Sequence, residues 1–434
     1  MPWYKTPPKR SSSRDLRFRP DVAEAAAGNE SGHGRMLRVS RRVASSGESA
    51  TLALTARVAE LRRQGVDVVG FGAGEPDFDT PAAAKDAAVR AIESNFTHYT
   101  HSSGMPELRE AIARRFREDY GLSYDASEII VSCGAKQVIY NALQVLVDDG
   151  DEVLVPAPYW VSYPDMVRLA GGTPVVVPST PASGFKTTLP DLERAATRRT
   201  KVLILNSPSN PTGAVYTARE LETIGDFVAR RGIAVISDDI YGALVYGNAR
   251  FASIACAAPA SRPFAILVNG ASKAYAMTGW RIGWAAGPKE IVAAMGRVQG
   301  QITSNPSSVS QQAALAAVTA DQSIVEPMRA EFDRRRRVMV ARLNAMPGVT
   351  CHEPEGAFYC FPDVSALFER TTAGGTAIGD VDRFAEILLE EAKVAVLSGT
   401  PFGAPRHVRL SYAASLADIE RGLDRLEGFV KSLR

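Results

Sequence analysis

The chain of 434 residues has no apolar run near the ~20 residues that a membrane-crossing helix needs, which argues against a spanning role. It carries little net charge, +2 from 50 Lys/Arg and 48 Asp/Glu, which argues against nucleic acid as the main partner. Cysteine is scarce. Cys133, Cys256, Cys351 and Cys360 form no CxxC pair and are too few for a disulfide scaffold of this size. Cys351 and Cys360 could face each other across a hairpin, but free thiols in a cytoplasmic chain are the expectation. Histidine is scarce too. His33, His98, His101, His352 and His407 show no metal-ligand spacing, so no metal is expected, and His98 and His101 beside Tyr99 read as loop residues. No internal repeat is found.

What remains is ordinary globular composition, 45% hydrophobic and 23% charged, on a chain longer than one hydrophobic core usually holds. At least two domains are expected. Charge is unevenly placed: residues 1–42 carry +6, leaving −4 for the rest. The head, rich in Pro, Ser, Arg and Gly and without period, predicts a disordered extension over 1–35. An organelle transit peptide is the alternative, although Asp15, Asp21, Glu24 and Glu30 speak against it.

From about residue 81 helix and strand patterns alternate. "SEIIVSCG", "DEVLVPAP", "TKVLILNSP", "IAVISDD" and "RPFAILVNG" read as buried strands, with amphipathic helices such as "AKQVIYNALQVLV" and "TARELETIGDFVARRG" between them. Strands apolar on both faces, separated by helices, predict an α/β fold: a mostly parallel sheet covered on both sides, over 81–324. From 325 the texture changes to a long charged helix, a hairpin over "GVTCHEPEGAFYCFPDV", further strands and a closing helix. This predicts a smaller α+β domain over 325–434, joined by 36–80.

Ligands of such sheets sit at the carboxyl ends of the strands. After the first strand come Gly134, Ala135 and Lys136 at a helix start, a place for an anion or simply a tight turn. After the third, "NSPSNPTG" puts Asn210 between two prolines, where its amide can serve a ligand or a surface turn. After the fourth come Asp238 and Tyr241; the aspartate would pair with a cationic ring nitrogen or cap a helix. After the fifth come Lys273, among small residues that leave room for a carbonyl, and Arg281, whose fork suits a phosphate. A lone lysine is more often a surface residue. Together these four stations fit one ligand with a phosphate, a phenolic oxygen, a ring nitrogen and an aldehyde, which is pyridoxal 5′-phosphate.

From about residue 36 onward the chain resembles the class I aminotransferases of fold type I. The resemblance rests on "AGEPDFDTP", "YTHSSGMPELREAIA", "PAPYWVSYPDM", "NSPSNPTGAVY", "SDDIYGALVY", "NGASKAYAMTGWRIGW" and "HVRLSYA". Within that family it is most similar to the prokaryotic-type aspartate aminotransferases, including the aspartate/prephenate kind. The resemblance implies that Lys273 bonds the cofactor aldehyde and moves the substrate proton. It implies that Asp238 pairs with the ring nitrogen, that Tyr241 and Asn210 bond the phenolic oxygen, and that Trp160 stacks on the ring. Gly134, Ala135, Lys136 and Arg281 would surround the phosphate, and Tyr99 would reach the phosphate of a second subunit, implying a homodimer with shared sites. Arg409 would clamp the α-carboxylate, with Gly74, Trp160 and Asn210 beside it, and Lys136 with Thr51 would receive a second carboxylate. Amino acids and 2-oxo acids are the implied small-molecule partners, aspartate first and prephenate as an added acceptor.

Two departures stand out. Asp239 follows Asp238 where many relatives have Glu, and Gly270 stands where many have a phosphate-binding Ser, leaving Ser272 to replace it. Rival readings are an aminotransferase of alanine or aromatic range, a pyridoxal-phosphate lyase on the same fold, and a cofactor-binding transcription regulator. The head is too short and too rich in Pro and Gly for the DNA-binding domain of such a regulator.

Overall fold

A computed structural model of the protein describes residues 37–434; the expected disordered or transit-peptide head over 1–35 lies outside the described residues. Twelve strands follow in chain order among the described residues. They are β1 (Val69–Gly70), β2 (Ile129–Ser132), β3 (Glu152–Pro156), β4 (Thr173–Val177), β5 (Thr200–Asn206), β6 (Ala234–Asp238), β7 (Ala265–Gly270), β8 (Gly283–Ala286), β9 (Tyr359–Cys360), β10 (Val394–Ala395), β11 (Leu397–Ser398) and β12 (Val408–Ser411).

Seven of them build one sheet in the order β2–β8–β7–β6–β5–β3–β4. Neighbours run parallel except β8, which is antiparallel to both β2 and β7. Side chains alternate between faces along a strand, so a strand apolar at every position needs cover on both sides. That is how these strands are used. Ile129, Val131, Leu203, Leu205, Val235 and Leu267 pack with the helices Pro106–Tyr120, Ala218–Arg231 and Ser308–Thr319. Their neighbours in sequence, Ile130, Val202, Ile204, Ile236, Ile266 and Val268, pack with Ala135–Leu146, Ser162–Leu169 and Lys289–Ile302. The expected α/β architecture is therefore present.

The two ends of the described chain meet in the short strands. β1 pairs in parallel with β10, bringing Val69 opposite Val394, and β9 and β11 flank β12 in an antiparallel trio. Val69 and Phe71 enter a core with Phe332, Phe358, Phe384, Leu410 and Leu423, all at most 1% exposed. Arg41–Arg434 make one compact unit. No described helix is long and apolar enough to cross a membrane. All four cysteines are free.

Two strands escape the sequence pattern. β4 is a half-exposed edge strand, and β8 hides inside "GWRIGWAAG", a stretch dominated by its chemistry. The expected hairpin closes only at its base, where Thr350 bridges Asp363; Tyr359 and Cys360 pair instead with Ser411 and Leu410. A strand of two residues finds its partner through the core and not through its own turn.

Candidate active site

The carboxyl ends of β2, β5, β6 and β7 open on one edge of the sheet, and the residues that follow them line a cleft of about 410 Å³. Ala135, Lys136, Trp160, Asn210, Asp238, Tyr241, Lys273 and Arg281 line it, together with Thr51, Gly74 and Arg409 from the two ends of the chain.

After β2 the backbone turns through Gly134, whose φ of +89° disfavours a side chain. A Cβ there would lie 2.4 Å from Nη2 of Arg281. Glycine thus lets the guanidinium close on the first turn of Ala135–Leu146, where free N–H groups favour an anion. Arg281 is itself in the left-handed region at +57°, held by donation to the Thr278 carbonyl at 2.8 Å. Ser272 is buried and also lines the cleft. Gly270 has a physical reason: it pairs with Gly283 of β8, and a Cβ would sit 2.9 Å from the Gly283 Cα, so serine has no room.

After β6, Asp238 is buried. Its Oδ2 accepts from the Tyr163 hydroxyl at 2.6 Å and its Oδ1 from the Ile240 N–H at 3.3 Å. Burial raises its pKa to about 6, against those two hydrogen bonds and the pull of Lys273. Asp239 points elsewhere, accepting from Ser237 at 2.7 Å, and burial pushes its carboxyl well above the usual range. At the end of β5, Asn206 bonds both the Asn210 N–H and the Asp238 carbonyl, at 2.8 Å each, and so fixes one strand end to the next. The peptide bonds before Pro208 and Pro211 are cis.

After β7, Lys273 donates to the Gly74 carbonyl. Burial lowers its pKa to about 8; Glu75 and Asp238 oppose that shift, while Arg409 and Arg281 add to it. Lys136 lies 4.8 Å over the Trp160 ring, its pKa also lowered by burial and then by Arg281. Thr51 stands in the first turn of Ala50–Arg63 with its Oγ1 buried and partnerless.

Arg409, on β12, is 1% exposed. It donates to Asn210 Oδ1 at 3.0 Å and to the Gly72 carbonyl at 2.8 Å, and its Nε has no partner. A buried guanidinium with a free donor is an open invitation to a carboxylate. Tyr99 is not part of the cleft in this chain; it lies on a loop, 90% exposed.

Three residues of the cleft that bond its functional groups are given neither by the strand-end rule nor by the resemblance. Tyr163 could have been found from its spacing to Trp160 at the start of a helix, and Asn206 as the last residue of its strand. Tyr359, whose hydroxyl lies 2.8 Å from that of Tyr241, sits on a two-residue strand and gives no local signal.

A family model for aminotransferases of class I and II matches residues 66–426. The chain is 48% identical to an aspartate aminotransferase of Geobacillus stearothermophilus, over 91% of this chain and all of that one. It is 48% identical to an aspartate/prephenate aminotransferase of Cereibacter sphaeroides, over 89% of this chain and 96% of that one. Among solved structures, the aspartate aminotransferase of Rhizobium meliloti superposes with a TM-score of 0.89 at 42% identity, covering 92% of this chain and all of that one. That of Thermus thermophilus with maleate gives 0.86 at 45%, covering 91% and all of it.

Proposed function

The chain belongs to the class I and II aminotransferases, and from that premise we propose that it exchanges an amino group between aspartate or glutamate and a 2-oxo acid such as 2-oxoglutarate or oxaloacetate. As a member of that family it is a pyridoxal-phosphate-dependent aminotransferase. When bound, the cofactor supplies an aldehyde carbon that carries the amino group and a cationic ring that draws electron density from the substrate Cα.

The residues of the cleft fit that group. Arg281, Ser272 and the N–H groups behind Gly134 form an anion cradle that a Cβ at 134 would fill. Asp238 is a buried carboxylate that gains most from a cationic partner. In the proposal it holds the ring nitrogen, Tyr163 and the Ile240 N–H keep its oxygens in place, and Tyr241 with Asn210 serves the phenolic oxygen. Trp160 covers the ring face. Lys273 Nζ would take the proton from the substrate Cα and hold it for delivery to the carbon that carries the amino group; a pKa near 8 leaves an appreciable neutral fraction close to physiological pH. Arg409 turns its free Nε and its fork to the α-carboxylate, with Gly74 alongside.

The observation that carries the substrate choice is a further cation in the same cleft, beyond Lys273, Arg281 and Arg409. Lys136, lowered onto Trp160, and the partnerless Thr51 hydroxyl together suit the distal carboxylate of a dicarboxylic substrate. Prephenate, which also carries two carboxylates, is proposed as a further acceptor on the same two residues. Steady-state kinetics on Lys136→Ala tests this. The preference for aspartate over alanine should fall roughly tenfold, the worth of one charge-assisted hydrogen bond; an unchanged preference removes Lys136 from substrate recognition.

A homodimer is part of the proposal. Val89, Ile92 and Phe96, 52%, 58% and 37% exposed, precede the exposed Tyr99, an apolar face suited to a second copy. The expected division into a larger part over 81–324 and a smaller one from 36–80 with 325–434 is likewise proposed. Lys273 and Asp238 belong to the first and Gly74 and Arg409 to the second, so a bound amino acid would bridge them.

A further inference from the structure

We propose that Tyr359 is a positioning residue that ties the carboxylate-binding end of the cleft to its cofactor end, its ring seating Arg409 and its hydroxyl supporting Tyr241; this rests on the reading in the preceding subsection. Tyr359 is 0% exposed yet lines the cleft. On β9 it pairs with Ser411 of β12, and side chains directly opposite share a face. Arg409, two residues from Ser411, lies on that same face. The Arg409 guanidinium carbon is 4.4 Å from the centre of the Tyr359 ring and 5.2 Å from that of Phe402. The two rings thus take up part of the cation's desolvation, while Asn210 and Gly72 take up two of its donors.

The Tyr359 hydroxyl meets the Tyr241 hydroxyl at 2.8 Å, with either oxygen able to donate. Glycine at 74 gives it room, since a Cβ there would stand 3.2 Å from the Tyr359 oxygen. A phenolic oxygen in front of Tyr241 takes the Tyr241 O–H, which leaves Tyr359 as the donor behind it. Chained hydrogen bonds polarise one another, so Tyr359 makes Tyr241 the stronger donor. A stronger donor lowers the proton affinity of the oxygen it serves.

The test uses the cofactor-loaded enzyme and reads the pH midpoint of the bound cofactor's visible absorbance. In Tyr359→Phe the midpoint should rise by about half a pH unit with the melting temperature unchanged, because only the hydroxyl is lost. Binding of succinate, a dicarboxylate with no amino group to exchange, should stay within about threefold in that variant. In Tyr359→Leu succinate should bind roughly tenfold more weakly or worse, because the ring under Arg409 is gone. A Phe variant that titrates at the wild-type midpoint overturns the proposal, as does a folded Leu variant that binds succinate like wild type. The Phe variant keeps the packing, so it decides the matter even where removing the ring unfolds the chain. Wild-type protein that shows no visible band with pyridoxal phosphate sinks the underlying reading and this proposal together; a normal band with an unshifted Phe variant sinks the proposal alone.

Discussion

The cleft wall formed by the ends of β2, β5, β6 and β7 and the opposite wall formed by β9, β12 and residues 72–75 are assembled in contrasting ways. On the first, the functional groups follow their strands within a few residues, and each of three takes a local bond: Asp238 from the Ile240 N–H, the Asn210 N–H to Asn206, Arg281 to Thr278, although Asp238 also accepts from Tyr163 and Lys273 reaches Gly74. On the second, the steadying bonds span the chain. Arg409 reaches Gly72 across 337 residues, and Tyr359 reaches Tyr241 across 118. The difference separates chemistry from grip. On the proposed reading, the local wall would carry the reacting groups on strand ends, while the long-range wall, which forms only when distant parts of the chain meet, would hold the substrate against them.

Breaking the local wall should cost the most. Lys273→Ala removes the amine that donates to the Gly74 carbonyl and, on the proposed reading, the base for the Cα proton. The expected loss in kcat for aspartate with 2-oxoglutarate is about 10⁴-fold or more. Undiminished exchange in that variant would end the account. Breaking the long-range wall should cost less and differently. Arg409→Leu should lower kcat/KM by about 10²–10³-fold, the usual loss when one partner of a buried charge-assisted pair is truncated. The loss should be alike for aspartate and alanine, since both present an α-carboxylate; a loss confined to aspartate would move Arg409 to the distal carboxylate and invert the assignment of the two ends.

The same contrast explains what could be read from sequence. Strand ends are legible because apolar runs such as "VLILN" and "AVIS" announce both the strand and the point where a polar side chain leaves it. Lys273, Asp238, Asn210, Tyr241 and Arg281 were found by that rule, and the cleft gathers all five. Arg409 and Gly74 came from resemblance, because nothing local marks a residue whose partners lie hundreds of positions away. Tyr359 was not found at all. Its strand is two residues long, and its neighbours in the expected hairpin pair elsewhere. β8 was missed for a related reason: its small and aromatic residues serve the close approach of Gly283 to Ala135, 2.2 Å from a Cβ at 283, and so lack the β-branched signature of a core strand.

The smallest expected effect sharpens the comparison by asking whether burial alone poises the local wall, and it is read in the folding of the cofactor-free protein. Burial, first, and then Arg409 and Arg281 hold Lys273 at about 8, below its ordinary 10.5, while Glu75 and Asp238 pull the other way. An amine whose folded pKa lies below its unfolded one costs stability wherever the fold carries it charged. That cost is full below pH 8. It is relieved as the pH rises from about 8 to 10.5, where the unfolded chain still holds a proton that the folded chain has released. Lys273→Met keeps the length and removes the charge. It should be more stable than wild type at pH 7 by on the order of 1–3 kcal/mol, discounted for the partial exposure of the amine to the cleft. The advantage should shrink toward zero near pH 10.5 in urea titrations at stepped pH. Asp238 does not confuse the readout. Its raised pKa of about 6 costs stability above that pH and is relieved only as the pH falls toward 3.8, in a separate window. The tyrosines are common to both proteins, so their titration cancels in the difference. A gap that stays flat from pH 8 to 10.5 would mean that the amine titrates as it does in the unfolded chain, and the strand-end wall would then owe its reactivity to the cofactor and not to its own burial.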